Sequence, residues 1–303
     1  MKVRGFHLEL TNKCMLKCSA CARTTFINKF GIEKWKNHDL NLDHLKKFLN
    51  IDLTDLKFNL CGNLGDPIYY PQLFELLSWL KSKSAIISLV TNGSYKKHEW
   101  WTELVSILDS RDTIVFSVDG TPENFINYRV NADWESIELG MRVAADSQVN
   151  TIWKYIPFSF NEHTIEQART VATDIGIDIF KLKPSDRWLD NDPLKPVNTQ
   201  YNGVRTQSII NWKNDKRDRK NYDIDSKCLN DNDQHYISAT GHYMPCCYVG
   251  DWRFYYSSEF YKNQKEFDIS TTTISDILNT TEFYSTLLEK KHKYCTFNCP
   301  TIN

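Results

Sequence analysis

No stretch of this 303-residue chain reaches the roughly 20 consecutive apolar residues that a bilayer-spanning helix needs. The sequence opens with Lys2 and Arg4, but no apolar segment of signal-peptide length follows them. An excess of either charge is missing as well. The 37 basic and 38 acidic residues give a formal net charge of -1, without the basic surplus that nucleic-acid or anionic-membrane partners leave in a composition. Nucleophilic triads, a P-loop lysine and a dinucleotide Gly-x-Gly-x-x-Gly are not apparent. No repeat or low-complexity tract interrupts the chain. These absences set aside a membrane span, a nucleic-acid partner and the common nucleotide-binding chemistries, and they predict a cytoplasmic protein.

What is there is an ordinary globular composition, with 41% hydrophobic and 25% charged residues, enough to bury a core. Nine cysteines stand out, and eight of them are grouped towards the two ends of the sequence. In a small secreted chain such a set reads as disulfides. In a long chain without an export signal it favours metal binding.

Between the cysteine groups, strand and helix patterns alternate. Strands are predicted at 6–10, 56–61, 86–90, 114–118, 151–160 and 177–182, and helices at 42–49, 73–80, 99–108, 134–145 and 164–175. Pro71 precedes the second helix, Thr91-Asn92-Gly93 ends the third strand, and Gly176 follows the last helix. Six apolar strands alternating with helices imply right-handed βαβ units and a parallel sheet covered on both faces. Periodicity leaves an open sheet and a partial barrel equally open. In either, chemistry gathers at the C-terminal ends of the strands. Residues 185–227 are polar and read as a linker, with a solvated run of charge at 211–219. A smaller region follows, with a hairpin about Gly241 and a helix over 274–289. The predicted organisation is thus 1–185, a 186–227 linker, and 228–303.

Cys14-Met-Leu-Lys-Cys18-Ser-Ala-Cys21 puts three thiols in one short loop after the first strand. By spacing alone this suits an iron–sulfur cluster or a zinc site. A four-iron cluster on three thiolates leaves one iron free to bind a small molecule. The C-x3-C-x2-C spacing in this position resembles the radical S-adenosylmethionine (SAM) superfamily. Cys61-Gly-Asn-Leu-Gly-Asp-Pro67 is similar to that family's Gly-Gly-Glu-Pro segment, and Thr91-Asn92-Gly93 and Ser117-Val-Asp119-Gly120 to its third and fourth strand signatures. Arg129, twelve residues past Ser117, resembles an arginine of members with C-terminal cluster domains. The likeness covers about residues 3–185.

The resemblance implies a partial (β/α)6 TIM-like barrel in the α/β class. It implies a [4Fe-4S] cluster on Cys14, Cys18 and Cys21 whose open iron chelates SAM. One electron then cleaves the sulfonium to methionine and a 5′-deoxyadenosyl radical, which takes a hydrogen atom from substrate. By position, the backbone at Gly65 and Asp66 receives the cofactor's amino group, Gly65 supplying the room for close approach. Asn92 lies at the cofactor site, Ser117 bonds the methionine or ribose part, and Arg129 pairs with the carboxylate. Two departures stand out: Asp66 replaces the usual Glu behind an Asn63-Leu64 insertion, and Ala20 precedes the third cysteine where a large apolar residue is usual.

The second cysteine group comprises Cys228, Cys246, Cys247, Cys295 and Cys299. A hairpin at Gly241 would bring Cys228 and Cys246 together. The pattern resembles the Twitch domain, the shortened SPASM auxiliary-cluster domain, which implies one auxiliary [4Fe-4S] cluster on Cys228, Cys246, Cys295 and Cys299, with Cys247 as a rival to Cys246. Zinc on the same thiols is an alternative. Cys61, alone in a strand, reads as a small buried hydrophobe. Proteins of this architecture modify peptides and proteins or oxidise small molecules. The expectation is a peptide or protein substrate, the alternatives being a small-molecule dehydrogenase or rearrangement enzyme and a non-catalytic cluster- or zinc-binding protein. A flavodoxin- or ferredoxin-like donor would supply the electron.

Overall fold

The computed structural model describes residues 3–185, 191–203, 235–256 and 258–279. In chain order the elements begin with β1 (Gly5–Leu8), α1 (Ala22–Phe30), α2 (Leu42–Phe48), β2 (Lys57–Leu60), α3 (Leu73–Ser82), β3 (Ile86–Thr91) and α4 (His98–Ile107). There follow β4 (Thr113–Ser117), α5 (Trp134–Ala145), β5 (Asn150–Tyr155), α6 (Ile165–Ile175) and β6 (Ile179–Leu182). Then come β7 (His235–Ile237), β8 (Tyr243–Met244), α7 (Trp252–Tyr255), α8 (Glu259–Lys262) and α9 (Ile274–Asn279). The described residues fall into two compact units, one of residues 3–13, 36–86, 235–256 and 258–279, the other of residues 14–35, 87–185 and 191–203.

In the first unit β1 is the middle of a short parallel set. It pairs with β2 on one side and β7 on the other, and β8 returns antiparallel to β7. The sequence explains why β1 is interior. All four of its residues are buried, as expected of a strand covered on both faces and flanked by two others. Phe6 stacks on Phe58 of β2 at 5.4 Å between ring centroids. Helix α2 starts at Asn41, whose side chain accepts from the His44 N–H at 2.9 Å, and it buries Leu42, Leu45 and Phe48. The hairpin about Gly241 forms as predicted, the glycine taking φ of 78°, and its N–H closes on the Ser238 carbonyl at 2.9 Å.

In the second unit β3, β4, β5 and β6 lie side by side in sequence order, all parallel. This run does not reverse its strand order, so its winding is that of a barrel wall and not of a doubly wound sheet. Helices α4 and α5 pack through Trp101 and Gly140, where a Cβ on the glycine would stand 2.4 Å from the indole. The Asp112 carboxylate, fully buried, accepts the N–H groups of Ile87 and Asp109 at 2.8 Å each and ties the starts of β3 and β4.

Two differences from the expected elements have local causes. The strand predicted over 151–160 ends at Tyr155, because Asn161 closes residues 156–161 into a turn. Its amide donates to the Ile156 carbonyl at 3.1 Å and its oxygen accepts the Phe158 N–H at 2.6 Å. Helix α1, which the periodicity does not predict, follows the third cysteine and buries none of its residues, so it carries no apolar stripe to read. The helix predicted over 274–289 is described over Ile274–Asn279; the remainder lies outside the described residues.

Candidate functional site: a three-thiol loop at the ends of the strands

The loop from Cys14 to Cys21 belongs to the second unit. It is held by short-range bonds: the Cys21 N–H donates to the Cys18 carbonyl at 3.1 Å, the Lys17 N–H to the Val130 carbonyl at 2.9 Å, and the Arg23 guanidinium to the Leu16 carbonyl. Donors are also aimed at the sulfurs themselves. Cys14 Sγ accepts from the Leu16 N–H at 3.4 Å and from the Asn92 side-chain amide at 3.6 Å. Arg129 Nη1 lies 3.9 Å from Cys18 Sγ. Around the loop, Leu16, Cys18, Tyr128 and Phe158 form a buried apolar cluster, with Cys14, Ala20, Cys21 and Phe160 packed against it.

Burial pushes the Cys18 thiol up, while the Arg129 charge and hydrogen bond pull the other way. An iron held here would take Cys18 as a thiolate, with the guanidinium as that sulfur's counter-charge. Among the described residues no three His, Cys, Asp or Glu side chains close round a single metal ion. A four-iron cluster makes a different demand, since each thiolate takes a separate iron. Three thiols on one loop, N–H donors on two of the sulfurs and an apolar surround fit such a cluster. They are what tunes thiolate-bound iron elsewhere.

Arg129 is fixed by Asp119. Its Nε and Nη2 lie 2.8 and 2.6 Å from Asp119 Oδ2, and Asp119 Oδ1 accepts the Ile156 N–H at 2.8 Å. Burial works against the guanidinium charge, but Asp119 and then Cys18 more than offset it, and the group stays protonated. The arginine expected at a cofactor carboxylate thus has one edge on Asp119 and Nη1 toward the thiol loop. Asn92, buried at the end of β3, spends its oxygen on the Ser94 N–H at 2.9 Å and its amide on Cys14. Ser117 is the last residue of β4, half-buried, in register with Lys154. So this unit brings Cys14, Cys18, Cys21, Asn92 and Arg129 together.

Gly65 and Asp66 belong to the first unit, on the loop after β2. The Asp66 N–H donates to the Lys13 carbonyl at 2.9 Å, and its carboxylate accepts the Ile68 N–H at 3.2 Å, starting a short 3-10 turn at Pro67. A Cβ at Gly65 would stand 2.0 Å from the Thr11 carbonyl oxygen. The protein's own backbone already demands glycine here. Also in this unit, Cys247 lies beside Cys246 and Cys61, and burial, with those thiols adding, pushes its own thiol up to about 12. Cys61 keeps company with other thiols, where a lone buried hydrophobe was expected. Cys228, Cys295 and Cys299 lie outside the described residues.

Two residues with evident roles, Glu9 and Tyr236, escaped the sequence reading, and Asp119 was noted at the end of the fourth strand without a role of its own. Glu9 had a signal of its own, a carboxylate inside an apolar run. Tyr236 had none.

No family model matches the chain. Over 120 residues it is 26% identical to a tungsten-containing aldehyde ferredoxin oxidoreductase cofactor-modifying protein of Pyrococcus furiosus, a match covering 40% of this chain and 32% of that protein. Among solved structures it is similar to Streptococcus suis SuiB bound to the precursor peptide SuiA, with a TM-score of 0.61, 12% identity, and 94% of this chain and 66% of that one covered. It is similar also to anSMEcpe with bound AdoMet and a Kp18Cys peptide, with a TM-score of 0.58, 14% identity, and coverages of 97% and 88%. The chain thus spans about two thirds of SuiB, and its match spans about a third of the curated relative. The solved relatives are radical SAM enzymes, and this chain has their fold, an α/β partial barrel with a parallel-dominated sheet.

Proposed function

We propose that this chain is a radical SAM enzyme acting on a peptide or protein. The single observation that carries the reading is the thiol loop: three cysteines on one short turn, Cys18 buried and Cys14 and Cys21 half-buried, with N–H donors directed at Cys14 and Cys18, in the fold of that enzyme class. Cys14, Cys18 and Cys21 would hold a four-iron cluster and leave one of its irons without a protein ligand. When bound, the cluster and SAM supply a 5′-deoxyadenosyl radical that removes hydrogen from substrate. The protein's part is to bind and exclude water. Leu16, Tyr128 and Phe158 seal the loop. Asn92 donates to the Cys14 sulfur. Arg129, clamped by Asp119, offers Nη1 to the Cys18 thiolate and the cofactor carboxylate. The Gly65–Asp66 backbone takes the cofactor's amino group, and Ser117 its methionine or ribose part.

The peptide substrate is supported by the peptides bound in the two structural relatives. An auxiliary cluster on Cys228, Cys246, Cys295 and Cys299, and a flavodoxin- or ferredoxin-like donor, complete the proposal. Among the described residues no helix is long and apolar enough to cross a membrane, and we place the protein in the reducing cytoplasm. The test is anaerobic. Protein loaded with iron and sulfide, given dithionite and SAM, forms 5′-deoxyadenosine and methionine, and Cys14→Ala, Cys18→Ala and Cys21→Ala each lose both products. Loaded wild type that binds four irons and forms neither product overturns the reading.

A further inference from the structure

Glu9 is 2% exposed, just beyond β1 in the first unit. A carboxylate so placed needs several hydrogen bonds to persist. They come from one loop and one side chain. The Leu64 N–H donates to Oε1 at 2.6 Å, the N–H groups of Gly65 and Asn63 are also turned to the carboxylate, and the Tyr236 hydroxyl of β7 donates to Oε2. Desolvation raises the pKa of Glu9, and all of these donors act against that shift.

The consequence follows from planar trans peptides. In each peptide unit the N–H of one residue and the C=O of the residue before it point in opposite directions, and no peptide bond of the described chain is cis. If the N–H groups of Asn63, Leu64 and Gly65 face Glu9, then the carbonyls of Gly62, Asn63 and Leu64 face away from it. Gly65 is pressed on the Thr11 carbonyl, and the Asp66 N–H is tied to Lys13, so the loop's far end is fixed as well. An ammonium group is a donor with no acceptor capacity, and a row of backbone carbonyls is what it binds.

We propose that Glu9, braced by Tyr236, is the positioning residue that gathers the N–H groups of residues 63–65 and so presents the carbonyls of Gly62, Asn63 and Leu64 to the ammonium of SAM. This rests on the functional reading above, moves the acceptors from Gly65 and Asp66 to the three residues just before Gly65, and adds the group that aligns them. Glu9 touches no reacting atom and acts only through the loop.

The experiment uses the full chain, iron-loaded, and measures the equilibrium affinity for SAM together with iron content and melting temperature. It adds amide hydrogen exchange of residues 62–66 in metal-free protein. Glu9→Ala is expected to weaken SAM binding at least ten-fold at unchanged iron content and to speed exchange at Leu64. Glu9→Gln, which keeps one acceptor oxygen, recovers most of both. Tyr236→Phe loses about three-fold with its ring packing intact, and it carries the decision if Glu9→Ala does not fold. Wild type that binds SAM, with Glu9→Ala or Tyr236→Phe binding it equally well, overturns this inference and leaves the functional reading standing. Loaded wild type that binds no SAM sinks both.

Discussion

Arg129 and Asp119 show what a single pair contributes at this site. The carboxylate is 1% exposed and the guanidinium 16%, with 2.6 Å between Nη2 and Oδ2. Removing one partner of such a pair leaves a buried charge without its counter-charge, which costs about 3–5 kcal/mol. Asp119→Ala also orphans the Ile156 N–H. It should therefore lower urea stability by about 3–5 kcal/mol, while Asp119→Ala combined with Arg129→Met should lose less than the sum of the two single changes, because the stranded charge goes with its partner. Additive losses in that cycle would mean that the pair is not coupled. The three-thiol loop was legible in the sequence because its cysteines stand close together in the chain. Glu9 and Tyr236 were not, because their roles are set by a contact between distant positions, 227 residues apart.

At the scale of elements, α5 was legible to the residue from its apolar spacing, and in the structure its start is capped by Asp133, whose carboxylate accepts the Ser136 N–H at 3.1 Å. Its partner contact was not. Gly140 in the middle of α5 looks like a weak point of the helix, and Ala there would ordinarily gain about 1 kcal/mol in propensity. The structure reverses the sign. A Cβ at this position would lie 2.4 Å from Trp101 Cε2, and Trp101 is fully buried in α4 and cannot swing aside. Overpacking of this kind costs about 1–3 kcal/mol. Gly140→Ala should accordingly lower the urea midpoint, whereas Gly140→Ala with Trp101→Phe, which opens the space, should recover part of the loss. A midpoint that rises with the single change would show that α4 and α5 part more readily than their packing implies. Helix α1 was illegible for the opposite reason: it buries no residue, so nothing in its pattern records the thiol loop that places it.

For the molecule as a whole, the repeat of strand and helix set the α/β class, while the assignment of a barrel wall had to wait for strand order. The most demanding consequence of the proposed function also belongs to this scale, because a ligand of the native state raises the stability of everything that unfolds with its site. At a hundred times its dissociation constant a single ligand adds about 2.7 kcal/mol. For domains of 150–250 residues each kcal/mol moves the melting midpoint by about 2–4 °C, so SAM should raise that of the iron-loaded protein by about 5–10 °C. The open iron is what separates this from ordinary ligand binding. If it is the principal grip on the amino and carboxylate groups, metal-free wild type and iron-treated Cys14→Ala should show little or no shift at the same SAM concentration, although Glu9 still aligns its loop in both. Three melts, run anaerobically side by side, decide it. A shift of equal size in the metal-free chain would mean that backbone and side chains hold the cofactor unaided, and the three-thiol loop would then need another purpose.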